Sequence, residues 1–249
     1  MSLDVGDEQR HTPAPDATWC EHFAFDFVAD DSSVAGALQL TLFGGDHSAL
    51  FSACLVRPGR RLLTLVDDEL AAPRGLEVRA PGLWVDIQCL VPFDHVTVGL
   101  EAFAMELEDP SEALGRIWGE RVPFGLDLEW DTTGPIAEPG HPRRVGYEMS
   151  CRVHGEILVG DERIEFDAFG SRRHVWGTPH PWANTWRRAL TSRGTAVGEL
   201  SVVSVLAEAP LLVRLGADTF RVDRSLCTVR DVRADDATMP AWIERCAPC

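Results

Sequence analysis

No lysine occurs anywhere in the chain, so all 23 basic side chains are arginines. That excludes Schiff-base chemistry through a lysine amine and a phosphate loop built on lysine. An excess of positive charge is also missing. The 39 acidic residues outnumber the basic ones, and the formal net charge is −16. Nucleic-acid binding draws its affinity from clustered basic groups on phosphates, and this chain lacks that excess. Anionic membrane surfaces are disfavoured for the same reason. Long apolar runs are scarce. The most apolar stretch, 197–216, is broken by Glu199, Glu208, Pro210 and Arg214, which speaks against a membrane span. The first 17 residues are polar and contain proline, unlike a signal peptide.

Cysteine is present without a framework. Seven thiols are scattered at 20, 54, 89, 151, 227, 246 and 249. An odd number without tight spacing implies reduced thiols and a cytoplasmic setting. Cys246-Ala-Pro-Cys249 is one CxxC pair without a second, so no closed zinc site is expected, and the terminus reads as frayed. What remains comfortable for this composition is a neutral or apolar small molecule.

The pattern is mainly β. Phe23, Phe25 and Phe27 alternate with Ala24, Asp26 and Val28, a period-two stripe. Short apolar runs follow at 34–43, 47–56, 61–67, 74–80, 83–90 and 94–107. Turn signals such as Gly44-Gly45-Asp46 and Arg57-Pro58-Gly59 separate several of them. Regular short strands of this kind suggest a sandwich or barrel. Asp109-Pro110-Ser111-Glu112 carries cap, proline and acid in the order of a helix start, so a short helix is expected near 110–117.

The segment 131–144 holds three prolines and two glycines and reads as a linker. The expected division is a flexible N-terminal segment 1–17, an N-terminal β domain 18–130, the linker 131–144 and a C-terminal β domain 145–249. Within the last, 145–159 and 163–169 read as a hairpin turning at Gly160-Asp161. Further strands are expected at 184–192, 196–207, 211–222 and 226–232.

Tyr147, Ser150, Gly155, Gly160 and Gly170, followed by His174-Val175-Trp176-Gly177, resemble the signature of the AttH-like, carotenoid 1,2-hydratase superfamily. Glu21-His22-Phe23-Ala24-Phe25 is similar to that superfamily's Glu-Trp-Trp-Tyr-Phe segment. The resemblance implies two lipocalin-like antiparallel β-barrels or sandwiches in tandem, with a hydrophobic ligand pocket at or near their junction. Relatives include carotenoid 1,2-hydratase, kievitone hydratase and lipocalin-fold Diels–Alderases. The implied activity is therefore that of a cofactor-independent hydratase, isomerase or cyclase on an apolar small molecule such as a terpenoid or polyketide. Neither a cofactor nor a metal is expected. The chain departs from the pattern at Arg173, which stands where the hydratases carry an aspartate. Arginine stays protonated and cannot donate that proton. A non-catalytic carrier of a hydrophobic ligand is the alternative.

The candidate catalytic residues are His174, as acid–base, and Glu21, as a replacement acid. The candidate ligand-binding residues are Trp176, Trp182, Trp186, Arg173, Tyr147 and Asp26. Three of the eight tryptophans fall within 176–186, a density that fits either a pocket wall or a structural cluster. Strand alternation turns Arg173 away from His174. Asp26 faces opposite to Phe25 and Phe27, so it lines a cavity or meets solvent, depending on which face is interior. His154 and His180 could join His174 on a metal, but their spacing matches no metal signature.

Overall fold

The computed structural model describes residues 3–248 apart from 15–17, 46–47, 116, 139–143, 179, 181, 183–184, 197–199, 216–217 and 232–236. Asp46, part of the expected linker and Cys249 lie outside the described residues. Strands β1 (Cys20–Val28), β2 (Ala35–Phe43), β3 (Ser48–Val56) and β4 (Leu62–Ala71) run as an antiparallel meander. They are followed by β5 (Glu77–Ala80), β6 (Leu83–Val91), β7 (His95–Leu107) and β8 (Glu120–Thr132). The long hairpin β9 (Arg144–Val159) and β10 (Glu162–Gly177) then returns to lie between β8 and β1. Pairing of β4 with β7 closes the ring. The result is an eight-strand barrel with β6 and β5 extending from β7.

This pairing corrects the expected division. Segment 131–144 joins two neighbours of one sheet, and 145–177 belongs to the first barrel rather than to a second domain. The sheets change between Gly177 and Trp186. The second sheet is open and six-stranded. It comprises β11 (Trp186–Thr191), β12 (Gly194–Ala196), β13 (Leu200–Glu208), β14 (Leu211–Leu215), β15 (Asp218–Asp231) and β16 (Thr238–Pro248). The expected strands at 211–222 and 226–232 become β14 and one long strand, β15. The expected hairpin at Gly160-Asp161 is β9–β10. The short helix is a single 3-10 turn, Pro110–Leu114, capped by the Asp109 side chain. Among the described residues no helix is long and apolar enough to cross a membrane.

The barrel interior is one apolar core, in which Phe23, Phe25 and Phe27 meet Leu38, Leu40 and Trp130. The second sheet packs on the outer face of β1 to β3, where Ala35, Ala37 and Cys54 meet Leu190, Leu226 and Trp242. Strand β1 is therefore buried on both faces along its whole length. Cys246, expected on a frayed end, is buried within β16.

The segment expected to be flexible also takes a defined place. Residues Val5–Glu8 form a 3-10 turn capped by Asp4. Leu3 packs on the barrel core, Glu8 is buried, and the Arg10 guanidinium bonds the carbonyl of Pro73.

Candidate active site

Strand β10 carries the sequence Gly170-Ser171-Arg172-Arg173-His174-Val175-Trp176-Gly177 and pairs with β1 on one side and β9 on the other. In register, His174 faces Phe23 and Tyr147, Arg172 faces Phe25 and Met149, and Trp176 faces Glu21. Residues directly opposite one another share a face. Glu21, Tyr147, Arg172, His174 and Trp176 therefore all belong to the barrel interior. Two glycines allow the close fit. A Cβ on Gly170 would lie 2.3 Å from the Asp26 carbonyl oxygen, which accepts a bond from the Trp130 indole at 3.3 Å. Gly146 has φ of 140°, and a Cβ there would lie 2.1 Å from the carbonyl oxygen of His174.

The centre of the site is a buried carboxylate between two imidazoles. His174 Nε2 lies 2.8 Å from Glu21 Oε1. His11, from the N-terminal segment, donates its backbone N–H to both Glu21 oxygens at 3.0 Å and its Nδ1–H to Oε1 at 2.7 Å. His11 Nε2 also reaches Asp7 Oδ1 at 3.2 Å. Burial opposes ionisation of Glu21, but the bonds from His11 and His174 outweigh it and hold the carboxyl below its ordinary value. Burial likewise works against a charged His11, yet its bonds to Glu21 and Asp7 raise its pKa. His174 goes the other way. Burial lowers its pKa despite Glu21, so the ring is neutral.

These directions fix the tautomer. An ionised carboxylate only accepts, so the single proton of His174 sits on Nε2. Its Nδ1 is a lone pair, buried and without a hydrogen-bond partner. The ring is held by Phe23, stacked at 3.9 Å between centroids, and by Tyr147, edge-on at 5.7 Å. Trp176 lies 4.8 Å from His174 and stacks on His11 at 3.9 Å. One donor atom from each of His11, Glu21 and His174 falls within a 4.8 Å cluster that could hold a divalent cation. His154 and His180 are not part of it. His154 pairs with Asp131 at 2.9 Å, and His180 packs against Trp182 and Phe220.

Asp26 and Arg173 occupy the opposite face of the same strands. Asp26 Oδ2 accepts from Arg188 Nη1 at 2.7 Å and Ser171 Oγ at 3.3 Å. Glu244 Oε2 takes Arg188 at 3.1 Å and Arg173 at 3.5 Å, and its Oε1 takes Arg224 at 3.1 Å. Arg188 also binds Glu148 at 2.6 Å. Burial raises the Asp26 pKa against the pull of Arg188. In Glu244 burial is overcome by Arg173, Arg188 and Arg224, which hold its pKa at about 2. Arg173 thus faces away from His174, as alternation requires, and its guanidinium lies 5.9 Å from the Trp186 ring. Trp182 is buried between the sheets with Leu50, Phe220 and Val222. The three clustered tryptophans therefore form no common wall: Trp176 belongs to the barrel, and Trp182 and Trp186 to the junction. The pocket expected at the junction is here an ion-pair network, and the dyad lies inside the first barrel.

Sequence reading missed His11 and Glu8. Glu8 accepts two bonds from Arg172, both at 2.9 Å. The only signal available was chemical: an inward-facing arginine at 172 requires an anion.

A model described as "Domain of unknown function (DUF7064)" matches residues 4–204, most of the chain. The chain belongs to the DUF7064 family. No curated protein matches this sequence. Among solved structures, this DUF7064 chain is similar to one assigned as an AttH, NE1406 from Nitrosomonas europaea. Identity is 11%, coverage 98% of this chain and 97% of that one, and the TM-score 0.55. It is also similar to CghA with Sch210972, at 10% identity, 93% and 89% coverage and a TM-score of 0.52. The DUF7064 chain accordingly shares its fold with these two structures. The family match begins at residue 4 and so takes in the segment that carries Asp7, Glu8 and His11.

Proposed function

We propose that this protein is a cofactor-independent enzyme acting on an apolar, partly oxygenated small molecule, with His174 as its base. The observation that carries the reading is the polarity of the imidazole: Nε2 is bound to Glu21, and Nδ1 is a buried lone pair without a partner. A carboxylate that orients a histidine while its other nitrogen stays free is the arrangement used for proton abstraction. The unprotonated ring offers a lone pair on Nδ1 and has no proton to give from that nitrogen. Isomerisation or cyclisation through removal of a proton beside a carbonyl therefore fits better than hydration, which needs a strong acid for the alkene. Phe23 and Trp176 supply flat apolar walls for a ring or polyene. Similarity in fold to CghA with Sch210972 supports a small-molecule partner. Terpenoids and polyketides are the substrate classes that meet these demands, and a cytoplasmic location suits the thiols.

The test is mass spectrometry of a solvent extract of the folded protein, followed by turnover of the molecule found. His174→Gln keeps an N–H donor for Glu21 and fills similar volume, but it cannot take up a proton. It should abolish turnover while the protein stays folded, and dialysis of the wild type against EDTA should leave turnover intact. Full activity in His174→Gln would refute the assignment. A carrier is the second reading, favoured because Arg173 is tied to Glu244 where the hydratases have their acid. It requires the extracted molecule to remain chemically unchanged on prolonged incubation.

A further inference from the structure

Arg172 is almost completely buried inside the barrel, at 3% exposure. Its described anionic partner does not come from the barrel wall. It is Glu8, on the N-terminal segment, held by two bonds from the guanidinium at 2.9 Å each. The wall supplies donors to Glu8 at this point. The Phe93 backbone N–H, in the β6–β7 turn, reaches Glu8 Oε1 at 2.7 Å. Phe93 has φ of 60°, a left-handed conformation that is strained for a bulky residue and recurs at sites that grip ligands. Tyr147, on β9, lies 3.3 Å from Arg172 Nη1 and also bonds Glu8. A further donor, Arg172 Nε, is buried without a partner. Three separate elements thus converge on one carboxylate, and that carboxylate belongs to a segment outside the barrel.

We infer that Arg172, Tyr147 and the Phe93 N–H form a carboxylate-binding subsite, which Glu8 fills as an internal substitute for the ligand. The ligand class is an apolar molecule ending in a carboxylate. Its acid group takes the place of Glu8, and its body takes the place of the N-terminal segment that carries Glu8 and lays His11 on Trp176. Bidentate guanidinium–carboxylate geometry selects such a group over an alcohol. Arg172 and His174 are two residues apart on one strand face, so the anchored acid lies roughly 7 Å along β10 from the base. The N-terminal segment also lays His11 over Glu21 and Trp176, so displacing Glu8 opens both ends of the site together. This deepens the proposed function by naming its substrate class, but the subsite stands on binding alone.

The test uses the full chain, with octanoate and octan-1-ol as probes in isothermal titration calorimetry. Glu8→Gln leaves Arg172 buried without a counter-charge. It should raise octanoate affinity at least tenfold over wild type and leave octanol within twofold. Adding Arg172→Gln should cancel the gain. Both readouts are of binding and not of turnover, so loss of the dyad reading and loss of the subsite are distinguishable. In the wild type, saturating octanoate should accelerate amide exchange at residues 5–11, and octanol should not, which serves if Glu8→Gln fails to fold. Equal gains for both probes, no gain for octanoate, or exchange unchanged by octanoate would overturn the inference.

Discussion

Replacing Glu21 by glutamine probes the core of the argument without requiring a substrate. The carboxylate is fully buried and accepts from His174 Nε2, His11 Nδ1 and the His11 backbone N–H. Breaking a buried charged pair costs about 3–5 kcal/mol. Glutamine keeps one acceptor, and the His11 side chain is 23% exposed, so about 2–3 kcal/mol is the better figure once solvent screening is allowed for. For a chain of this size that lowers Tm by roughly 5–10 °C. The sign with pH follows from the lowered Glu21 pKa. Its contribution is fully present above the ordinary value of 4.5 and is lost as pH falls through the lowered folded value. The raised His11 pKa adds a contribution that is full below 6.5 and is lost as pH rises through its folded value. The gap between wild type and Glu21→Gln should therefore be widest between the two ordinary values, 4.5 and 6.5, and shrink on either side, as calorimetric scans would show. Nitrogen-15 NMR of the imidazoles supplies the second readout. Wild-type His174 should be neutral with its proton on Nε2. In the variant the amide can donate to Nε2, and the proton should move to Nδ1. A Tm within 2 °C of wild type at pH 7, together with an unchanged His174 tautomer, would refute the reasoning.

Two further substitutions test the packing around the site. Asp26→Asn should cost less than Glu244→Gln, because burial raises the Asp26 carboxyl whereas Arg173, Arg188 and Arg224 hold Glu244 low; about 3 kcal/mol or more is expected for Glu244→Gln. Urea denaturation of both variants decides this, and the reverse order would show that the charge sits on Asp26. Gly170→Ala drives a methyl to 2.3 Å from the Asp26 carbonyl oxygen and 2.4 Å from Val153 Cγ2. An overpacking loss of about 1–3 kcal/mol is expected in the same assay, with a change in Trp130 fluorescence. A neutral result would mean that β10 can shift freely.

Local alternation carried much of the site. It placed Phe23, Phe25 and Phe27 on one face of β1 and Asp26 on the other, and it turned Arg173 away from His174. It could not say that both faces of β1 are buried, because that depends on the second sheet packing over Ala37 and Cys54. Nor could it join 20–28 to 162–177. Barrel closure pairs strands some 140 residues apart, and a period-two pattern is blind to which partner fills the gap. Proline and glycine at 131–144 signal a break in the chain, but a break between neighbouring strands of one sheet reads like one between domains. The N-terminal segment is polar, and polarity alone suggested that it would not order. It is ordered by Glu8, whose buried partner Arg172 lies 164 residues away, and by His11, which bonds the buried Glu21.

The two polar clusters on β10 differ in a way that separates structure from site. At the junction, Asp26, Glu148 and Glu244 meet Arg173, Arg188 and Arg224, and every member is fixed to a strand of one of the two sheets. Each acid and each arginine finds its partner within the walls, as a permanent clamp between the sheets requires, since an unpaired buried charge is strongly destabilising. Inside the barrel the walls do not balance at Arg172. They present a buried guanidinium, a phenol and a strained backbone N–H to an anion that the chain brings in from its N-terminal segment. A clamp has no need of a removable partner. A binding site does, because the group that neutralises Arg172 in the free protein must leave when a ligand with the same chemistry arrives.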